Sequence, residues 1–311
     1  MLLFVLWNRL KISYFRSKFL RIKEGFYSNN KVLSNEKFLI DLSNLRNEHF
    51  GDQLFFIFSI IRLSNFKNFI FKVDSKWKDL YELFNLRTSE QSFKSFDSNE
   101  VSLVTTFRSF VDLKDKNYFR EIIIFDSMDK EISNPFCEEI FNFFSKEKNV
   151  SFHDTLSLKF DGLKVSNKLE EILKSEFYIF NDTIYSRSFI RPFLIRSLFK
   201  VLESNFYLPK RIIQVGSKDD LYKNSFKFPI DTFFDLRGKI SLKELFFVLS
   251  HENCKGYIGF DNAIMHIALF FKKKAFVKFR GRFSKQNRDF HYKCVNCAVG
   301  EYAKSNIEYI K

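Results

Sequence analysis

The chain has 311 residues, of which 45% are hydrophobic, and it carries a formal net charge of +14 at pH 7. A chain of this length and hydrophobic content is typical of a globular protein with two cores, each of roughly 130–150 residues. The basic residues are spread along the whole chain, and 44 phenylalanines among many lysines indicate AT-rich codon usage. The charge alone therefore does not predict nucleic-acid binding, and we expect no nucleic-acid partner.

The first 35 residues form a basic segment before the first predicted strand. Seven apolar residues are followed by a mixture of aliphatic, aromatic and basic residues, the basic ones being Arg9, Lys11, Arg16, Lys18, Arg21 and Lys23. The segment lacks a small-residue cleavage site, and no apolar run reaches about 18 residues, so we expect neither a secretory signal nor a membrane span. Two interpretations stay open: a basic amphipathic helix on an anionic membrane face, and an N-terminal helix packed on the domain.

The first half of the chain predicts a βαβ unit. Residues 37–45 predict a buried strand, residues 53–66 have the length of a helix, and residues 67–74 predict a second strand. This order implies a parallel sheet with a right-handed crossover. A further strand is predicted over 121–129, after a less readable span rich in Ser, Asp and Lys.

The second half of the chain predicts a second βα series. Helices are predicted over 167–176, 191–206 and 241–252, and strands over 177–182, 211–220 and 233–239. Two such series favour two α/β domains that face one another across a cleft.

The stretch GYIGFDNAIMHIALFFKKKAFVKF, residues 256–279, predicts a strand, a tight turn at Gly259, a helix and another strand. Asp261 or Asn262 would cap the helix. The free N–H groups of its first turn and its dipole would then favour a phosphate at that position. Asn262 and His266 are four residues apart and share a helical face. The plainer alternative is a capped helix with His266 packed and hydrogen-bonded.

Two further loops follow predicted strands, where ligands of open α/β sheets bind. Gly51 permits a tight turn, and Asp52 stands at the mouth of the next helix, where it would either cap that helix or take a proton from a hydroxyl. Gly216 permits close approach of the backbone. Asp219 or Asp220 would either accept hydrogen bonds from ribose hydroxyls or lie in a solvated turn.

Four cysteines do not make a disulfide scaffold in a chain of this length, which favours a reducing cytoplasm. Cys294 and Cys297 have the spacing of half a zinc site that His291 and His251 could complete. No second Cys-x-x-Cys pair accompanies them, so we expect two unpaired thiols and no metal. Cys137 and Cys254 are the other two cysteines.

The run from residue 235 to residue 279 resembles the C-terminal signature of the heptosyltransferase-like glycosyltransferases, family 9, which have the GT-B fold. The matching residues are Gly238, Lys239, Ser241, Leu242, Glu244, Leu245, Gly259, Asp261, His266 and Ala268. FGD before the first predicted helix is similar to the Gly-Asp of the family's N-terminal half, so Asp52 matches the catalytic aspartate. The strand and glycine at residues 211–216, with the acidic residues after them, are like the part that holds the nucleoside. The resemblance covers roughly residues 38–75 and 177–280.

The chain departs from the family pattern at three places. Asn262 stands where Ser or Thr is usual, and Ala263 stands where Gly is usual. The family's lysine after the first strand of the C-terminal domain has no clear counterpart. Arg187 or Arg191 could supply that positive charge instead, because a guanidinium suits a diphosphate.

The resemblance implies two facing Rossmann-like domains of the GT-B fold with a cleft between them, plus the basic N-terminal helix. The expected boundaries are 1–35 for the basic segment, 36–175 for the acceptor-side domain and 176–311 for the domain that binds the nucleotide sugar. It also implies an inverting, metal-independent glycosyltransferase without a cofactor, which moves a sugar from a nucleotide-diphosphate sugar to a lipopolysaccharide, O-antigen or capsule glycan. Heptose is one candidate sugar. The expected location is the cytoplasm, at the inner face of the cytoplasmic membrane.

In this interpretation Asp52 is the catalytic base. The residues implied to bind the donor are Gly216, Ser217, Asp219, Asp220, Gly259, Asp261, Asn262, Ala263, His266 and Arg187 or Arg191. One alternative is a degenerate member that binds nucleotide or glycan without catalysis, which the changes at Asn262 and Ala263 favour. The other is a basic protein that binds nucleic acid, with salt-sensitive affinity.

Overall fold

The computed structural model describes residues 37–41, 50–61, 69–89, 101–106, 122–125, 158, 160, 162–182, 191–204, 211–218, 232–278 and 306–310. The strands in this part of the chain are β1 (Lys37–Asp41), β2 (Phe69–Lys72), β3 (Arg87–Thr88), β4 (Val101–Thr106), β5 (Ile122–Phe125), β6 (Phe177–Asn181), β7 (Arg211–Gln214), β8 (Thr232–Asp235), β9 (Cys254–Phe260), β10 (Lys274–Lys278) and β11 (Ile307–Ile310). The helices are α1 (Phe50–Ile61), α2 (Lys78–Leu83), α3 (Asn167–Leu173), α4 (Arg191–Ser204), α5 (Leu242–Ser250) and α6 (Ala263–Phe270), and a turn of 3-10 helix covers Ser75–Trp77. These elements belong to two compact units.

The first unit contains the parallel strands β2, β1, β4 and β5, which are hydrogen-bonded in that order. Three successive residues of β1, namely Phe38, Leu39 and Ile40, are buried, as a continuous apolar run in a parallel strand requires. The rings of Phe38 and Phe69 stack with their centroids 5.3 Å apart across the β1–β2 pair. The predicted parallel arrangement of this half of the chain is thereby confirmed.

The second unit contains a six-stranded sheet among the residues that the structure describes, with the order β11-β10-β9-β6-β7-β8. All of its strand pairs are parallel. Starting from β6, the first three strands extend the sheet to one side and the next three extend it to the other. This is the doubly wound order of Rossmann folds, and its switch point lies between β6 and β9.

The second unit also contains α1, which lies beside α6. At one end of this helix pair, a Cβ placed on Gly51 would lie 3.8 Å from the Cβ of Ala263. At the other end, the rings of Phe58 and Phe270 stack with centroids 4.5 Å apart and planes inclined by 5°. The two contacts are seven residues apart on each helix, so α1 and α6 run parallel with their N-termini side by side.

The sequence pattern predicts most of these elements but misplaces or misses some. It does not predict the strands β4 and β11 or the short helix α2. The loop expected before the first helix is too long, because α1 already begins at Phe50. Asp52 therefore lies in the first turn of that helix and does not cap it.

Some expectations concern residues outside the described ranges. The basic segment over residues 1–35 is one of them and stays a prediction. The domain boundaries at residues 35 and 175 also stay predictions. Cys137, His291, Cys294 and Cys297 also lie outside these ranges. No helix in the described part of the chain is long and apolar enough to cross a membrane.

Gly259 permits the close contact between β9 and β6. A Cβ at this position would lie 2.3 Å from the Asn181 carbonyl oxygen and 2.5 Å from the Tyr257 hydroxyl. We expect Gly259→Ala to lower the free energy of unfolding by about 1–3 kcal/mol, because the added methyl group forces packed backbone apart. Urea denaturation followed by circular dichroism measures the change.

Gly51→Ala is the matched control for this prediction. Its methyl group would make an ordinary contact with Ala263, and Ala favours a helix over Gly by up to about 1 kcal/mol. We expect this variant to be as stable as the wild type or slightly more stable. Equal stability of the Gly259→Ala variant and the wild type would contradict the close contact.

Candidate functional site

The switch point of the second sheet brings together two strand ends that the sequence places far apart. β6 ends at Asn181, with Asp182 next, and β9 ends at Phe260, with Asp261 and Asn262 next. β6 and β9 are parallel neighbours, with Asn181 opposite Gly259. The chain leaves these strands toward opposite sides of the sheet, and in doubly wound folds ligands bind beyond the carboxyl ends of strands at such a point.

Two asparagines join three elements at this point, and we name their arrangement the amide bridge. Asn262 Nδ2 donates to Asn181 Oδ1 at 2.7 Å, and Asn181 Nδ2 donates to the carbonyl oxygen of Val215 at 2.7 Å. At the other end, Asn262 Oδ1 accepts from the N–H groups of Ile264 and Met265 at 3.0 and 3.3 Å. The amide bridge thus connects the end of β6, the residue after β7 and the start of α6.

Asn262 is the N-cap of α6, which settles the expectation that either Asp261 or Asn262 caps this helix. Its backbone is extended (φ −158°, ψ 177°), as a cap requires. The cap takes the N–H groups of Ile264 and Met265. The N–H groups of Asn262 and Ala263 are the two of the first turn that it leaves for a ligand.

Tyr257 stabilises the turn between β9 and α6. Its buried hydroxyl donates to the carbonyl oxygen of Phe260 at 2.8 Å. Burial raises the pKa of the Tyr257 phenol well above its ordinary value. The phenol therefore stays neutral at physiological pH and keeps its role as a donor.

Asp261 and His266 face one another across the first turn of α6. His266 Nε2 lies 3.6 Å from Asp261 Oδ1, and the His266 side chain is buried, whereas 30% of the Asp261 side chain is exposed. His266 is therefore buried beside a carboxylate. Asp261 is the more accessible of the two to a ligand.

The loops after β7 and β8 are joined at the same edge of the sheet. The N–H of Gly238 donates to the carbonyl oxygen of Gly216 at 2.9 Å. Gly238 has φ +63°, and a Cβ on it would lie 2.5 Å from Cγ of Lys218, so the loops leave no room for a side chain. Ser217 is exposed on the first of these loops.

Asp235 at the end of β8 is a further acidic side chain at this edge, and sequence reasoning did not select it. Its carboxylate accepts two hydrogen bonds from the guanidinium of Arg237, at 2.9 and 2.7 Å. Arg237 is only 5% exposed. Because this carboxylate is neutralised by a buried cation, it is a poor candidate for binding a ribose.

Part of the signature that resembles family 9 serves to start α5. The hydroxyl of Ser241 accepts from the N–H of Glu244, and the Glu244 carboxylate accepts from the N–H of Ser241. This is a capping box, which satisfies two N–H groups at the start of the helix. Lys239 Nζ donates to the carbonyl oxygen of Asp235 at 2.7 Å. These three residues of the signature therefore make local structural contacts.

The helix pair brings together the two segments of the sequence that contain Gly51 and Gly259. Gly51 lies near Ala263, so Asp52 follows Gly51 in a helical turn beside the start of α6. Two parallel helices direct their positive dipole ends to the same place, which favours an anion there.

The structure assembles only part of the predicted site. The predicted residues that it places at the switch point or beside it are Gly51, Gly216, Ser217, Gly259, Asp261, Asn262, Ala263 and His266. Asp52 and Arg191 are described by their backbone alone, in the first turns of α1 and α4. Arg187, Asp219 and Asp220 lie outside the described residues.

Three buried polar residues at strand ends were missed. Asn181 belongs to the amide bridge, and Gln214 Nε2 donates to Asp182 Oδ1 at 3.0 Å. The sequence carries a signal for them, because a polar pair directly after the apolar run FYIF marks the mouth of a strand. The partners of these side chains could not be read from it.

His251 and Cys254 lie at the opposite end of β9. His251 Nδ1 accepts from the N–H of Asn253 at 3.2 Å. Burial raises the pKa of the Cys254 thiol to about 11, so this thiol is protonated and unreactive at neutral pH.

Comparisons with known proteins agree with this fold. No protein-family model matches the sequence, and neither does any curated protein. Among solved structures, the chain is similar to ADP-heptose lps heptosyltransferase II of E. coli, with a TM-score of 0.50 and 13% identity over 88% of this chain and 90% of that one. It is also similar to the E. coli heptosyltransferase WaaC with ADP, with a TM-score of 0.52 and 11% identity over 88% of this chain and 92% of that one. The resemblance inferred from the sequence is thereby confirmed at the level of the fold.

The Asp235–Arg237 pair predicts a pH-dependent stability. Burial acts to raise the pKa of the Asp235 carboxyl, but the hydrogen bonds and charge of Arg237 outweigh it and hold the pKa below its ordinary value. The pair therefore stabilises the fold above the ordinary pKa of an aspartate, and this is lost as the pH falls through the lowered value. We expect Asp235→Asn to lower the free energy of unfolding by about 1–3 kcal/mol at pH 7, because a buried guanidinium loses its charged partner.

Urea denaturation at pH 7 and near pH 2 checks this expectation, and the difference from the wild type should shrink at the lower pH. The control is Glu171→Gln, which removes the exposed pair with Lys174 and should cost less than about 1 kcal/mol at either pH. A loss at Asp235→Asn that is the same at both pH values would contradict the ion pair as its cause.

Proposed function

We propose that this protein is an inverting, metal-independent glycosyltransferase that takes its sugar from a nucleotide-diphosphate donor. The observation that carries the proposal is the meeting of two helix starts, those of α1 and α6, at the switch point of a Rossmann sheet. This arrangement supplies backbone N–H groups and two dipoles for a diphosphate beside an aspartate in the first turn of α1. The shared fold with the two heptosyltransferases agrees with it.

The donor would lie along the edge of the second sheet. Its diphosphate would accept hydrogen bonds from the N–H groups of Asn262 and Ala263, and a cationic Arg187 or Arg191 would balance its charge. Its nucleoside would lie against the loop after β7, which contains Gly216 and Ser217. Asp219 or Asp220 would hold the ribose, as acidic residues do in dinucleotide folds.

Asp52 would act as the general base. Its carboxylate takes the proton of the acceptor hydroxyl, and the hydroxyl oxygen forms a bond to the anomeric carbon from the face opposite the diphosphate. The bond between that carbon and the diphosphate oxygen breaks, and the nucleoside diphosphate leaves with the electron pair. A single displacement of this kind inverts the anomeric configuration.

The neighbours and the basic N-terminal segment support a proposal for the sugar and the acceptor. One similar structure is described as an ADP-heptose lps heptosyltransferase, so heptose is one candidate sugar and ADP one candidate nucleotide. The acceptor is a bacterial surface glycan or glycolipid, such as lipopolysaccharide, O-antigen or capsule. The first 35 residues suit contact with the anionic inner face of the cytoplasmic membrane.

A second candidate function is nucleotide or glycan binding without catalysis. The cap at Asn262 favours it, because the cap takes two N–H groups of the first turn of α6. A diphosphate at this helix start then has fewer donors. The next two experiments separate the two functions.

The first experiment measures nucleotide binding. Calorimetric titration of the full chain with ADP, UDP, GDP and CMP, without added metal, should give binding of one diphosphate. Asp261→Ala should weaken that binding by about tenfold or more, since it takes the carboxylate away from the buried His266 and loosens the first turn of α6, whose N–H groups would bind the diphosphate. Glu252→Ala is the control, because it makes the same charge change at the opposite end of β9. Binding of none of the four nucleotides would contradict the transferase and would leave glycan binding as the remaining form of the second function.

The second experiment tests catalysis. In cells that lack the wild-type chain, the wild type should restore the surface glycan seen on a gel, and Asp52→Asn should reduce the transfer rate by about 10²–10⁴-fold. Asp79→Asn is the control, because Asp79 is exposed in the first turn of another helix, α2. Full restoration by Asp52→Asn, with nucleotide binding intact, would favour the function without catalysis.

A further inference from the structure

The two side-chain amides of the amide bridge have only one possible orientation, which the backbone groups at the two ends of the bridge determine. Asn262 Oδ1 must face the N–H groups of Ile264 and Met265, so Nδ2 of the same amide must point to Asn181. Asn181 must present its Nδ2 to the carbonyl oxygen of Val215, so its Oδ1 must face Asn262. Backbone groups at both ends therefore fix both amides, and neither side chain can turn over without losing a hydrogen bond.

A helix cap alone does not require this arrangement. Ser and Asn are about equally good N-caps, and each needs only one side-chain oxygen. The family pattern has Ser or Thr at position 262. Asn262 adds a donor, and that donor binds Asn181, which is 1% exposed. The Nδ2 group of Asn262 thus links the helix cap to a buried residue of β6.

The elements that the bridge links are the two that the proposed function assigns to different parts of the donor. The start of α6 would bind the diphosphate, and Val215 directly precedes Gly216 in the loop that would bind the nucleoside. A donor with a fixed distance between nucleoside and diphosphate needs these two subsites at a constant separation.

We propose that Asn181 and Asn262 are positioning residues, which hold the start of α6 at a fixed distance from the loop after β7. The inference rests on the proposed function for its ligand. Asn262 then contacts the donor through its backbone N–H, and its side chain serves the bridge.

The first test needs no ligand. Hydrogen exchange of the full chain, resolved to single amides by NMR, reports how firmly the N–H groups of Ile264 and Met265 are held. Asn181→Ala leaves the cap residue intact and removes its anchor, together with the hydrogen bond to the Val215 carbonyl oxygen. We expect both amides to exchange at least about tenfold faster in this variant.

The cap of α3 is the internal control, because Ser166 Oγ accepts from the N–H of Leu169 without any such anchor. Exchange at Leu169 should stay as in the wild type. Unchanged exchange at Ile264 and Met265 would overturn the proposal. If Asn181→Ala does not fold, Asn262→Ser gives the same comparison, since Ser caps equally well but does not reach Asn181.

The second test uses the nucleotide that binds in the titration. The measured quantity is the ratio of affinities for the nucleoside diphosphate and the monophosphate, which reports the contacts at the start of α6. We expect Asn262→Ser to reduce this ratio about tenfold, although it introduces the residue usual in the family. An unchanged or larger ratio would overturn the positioning role. If the wild type binds no nucleotide, the proposed function fails, while the exchange experiment still decides whether the bridge fixes the helix.

Discussion

The hydrogen bonds of Asn181 set the geometry of the whole switch point. This side chain is buried where three elements meet, and an amide there must find partners for both its oxygen and its nitrogen. It finds them in Asn262 and in the Val215 carbonyl. Gly259 has no side chain, which also allows β6 and β9 to lie close together. The strand ends and the helix start therefore form one connected arrangement. This arrangement positions the partly exposed Asp261 carboxylate and the free N–H groups of the turn.

The second constraint is electrostatic. Parallel helices with adjacent N-termini repel one another through their dipoles, and acidic groups or a bound anion relieve that repulsion. The chain places Asp52 in the first turn of α1 and Asp261 just before α6. Aromatic packing holds the helices together at the other end, where the ring of Phe84 lies edge-on to both Phe58 and Phe270. Hydrophobic contact thus keeps the like dipole ends together.

Sequence reasoning predicted features that depend on near neighbours in the chain. The cap at residue 261 or 262 and the strand–helix alternation follow from local composition, and both are present. The turn expected at Gly259 comes two residues later, because β9 continues through Gly259 to Phe260. The order of the strands in the sheets, the contact of Gly51 with Ala263 and the partner of Asn181 depend on residues about 80 to 210 positions apart, and no local pattern encodes them. The strand β4 was missed because its Ser and Thr residues weaken the apolar signal, and the start of α1 was misplaced because a glycine was taken as a turn.

The helix pair also has a mechanical consequence. Seven residues of helix separate the Phe58–Phe270 stack from the Gly51–Ala263 contact, a distance of about 10 Å. A tilt of about 10° around the stacked rings would move the helix starts apart by about 2 Å. The helix starts, and Asp52 with them, therefore move relative to α6 when the helices tilt about the stacked rings. Substitutions at Phe58 or Phe270, two helical turns from the helix starts, can therefore change the distance between Asp52 and the first turn of α6.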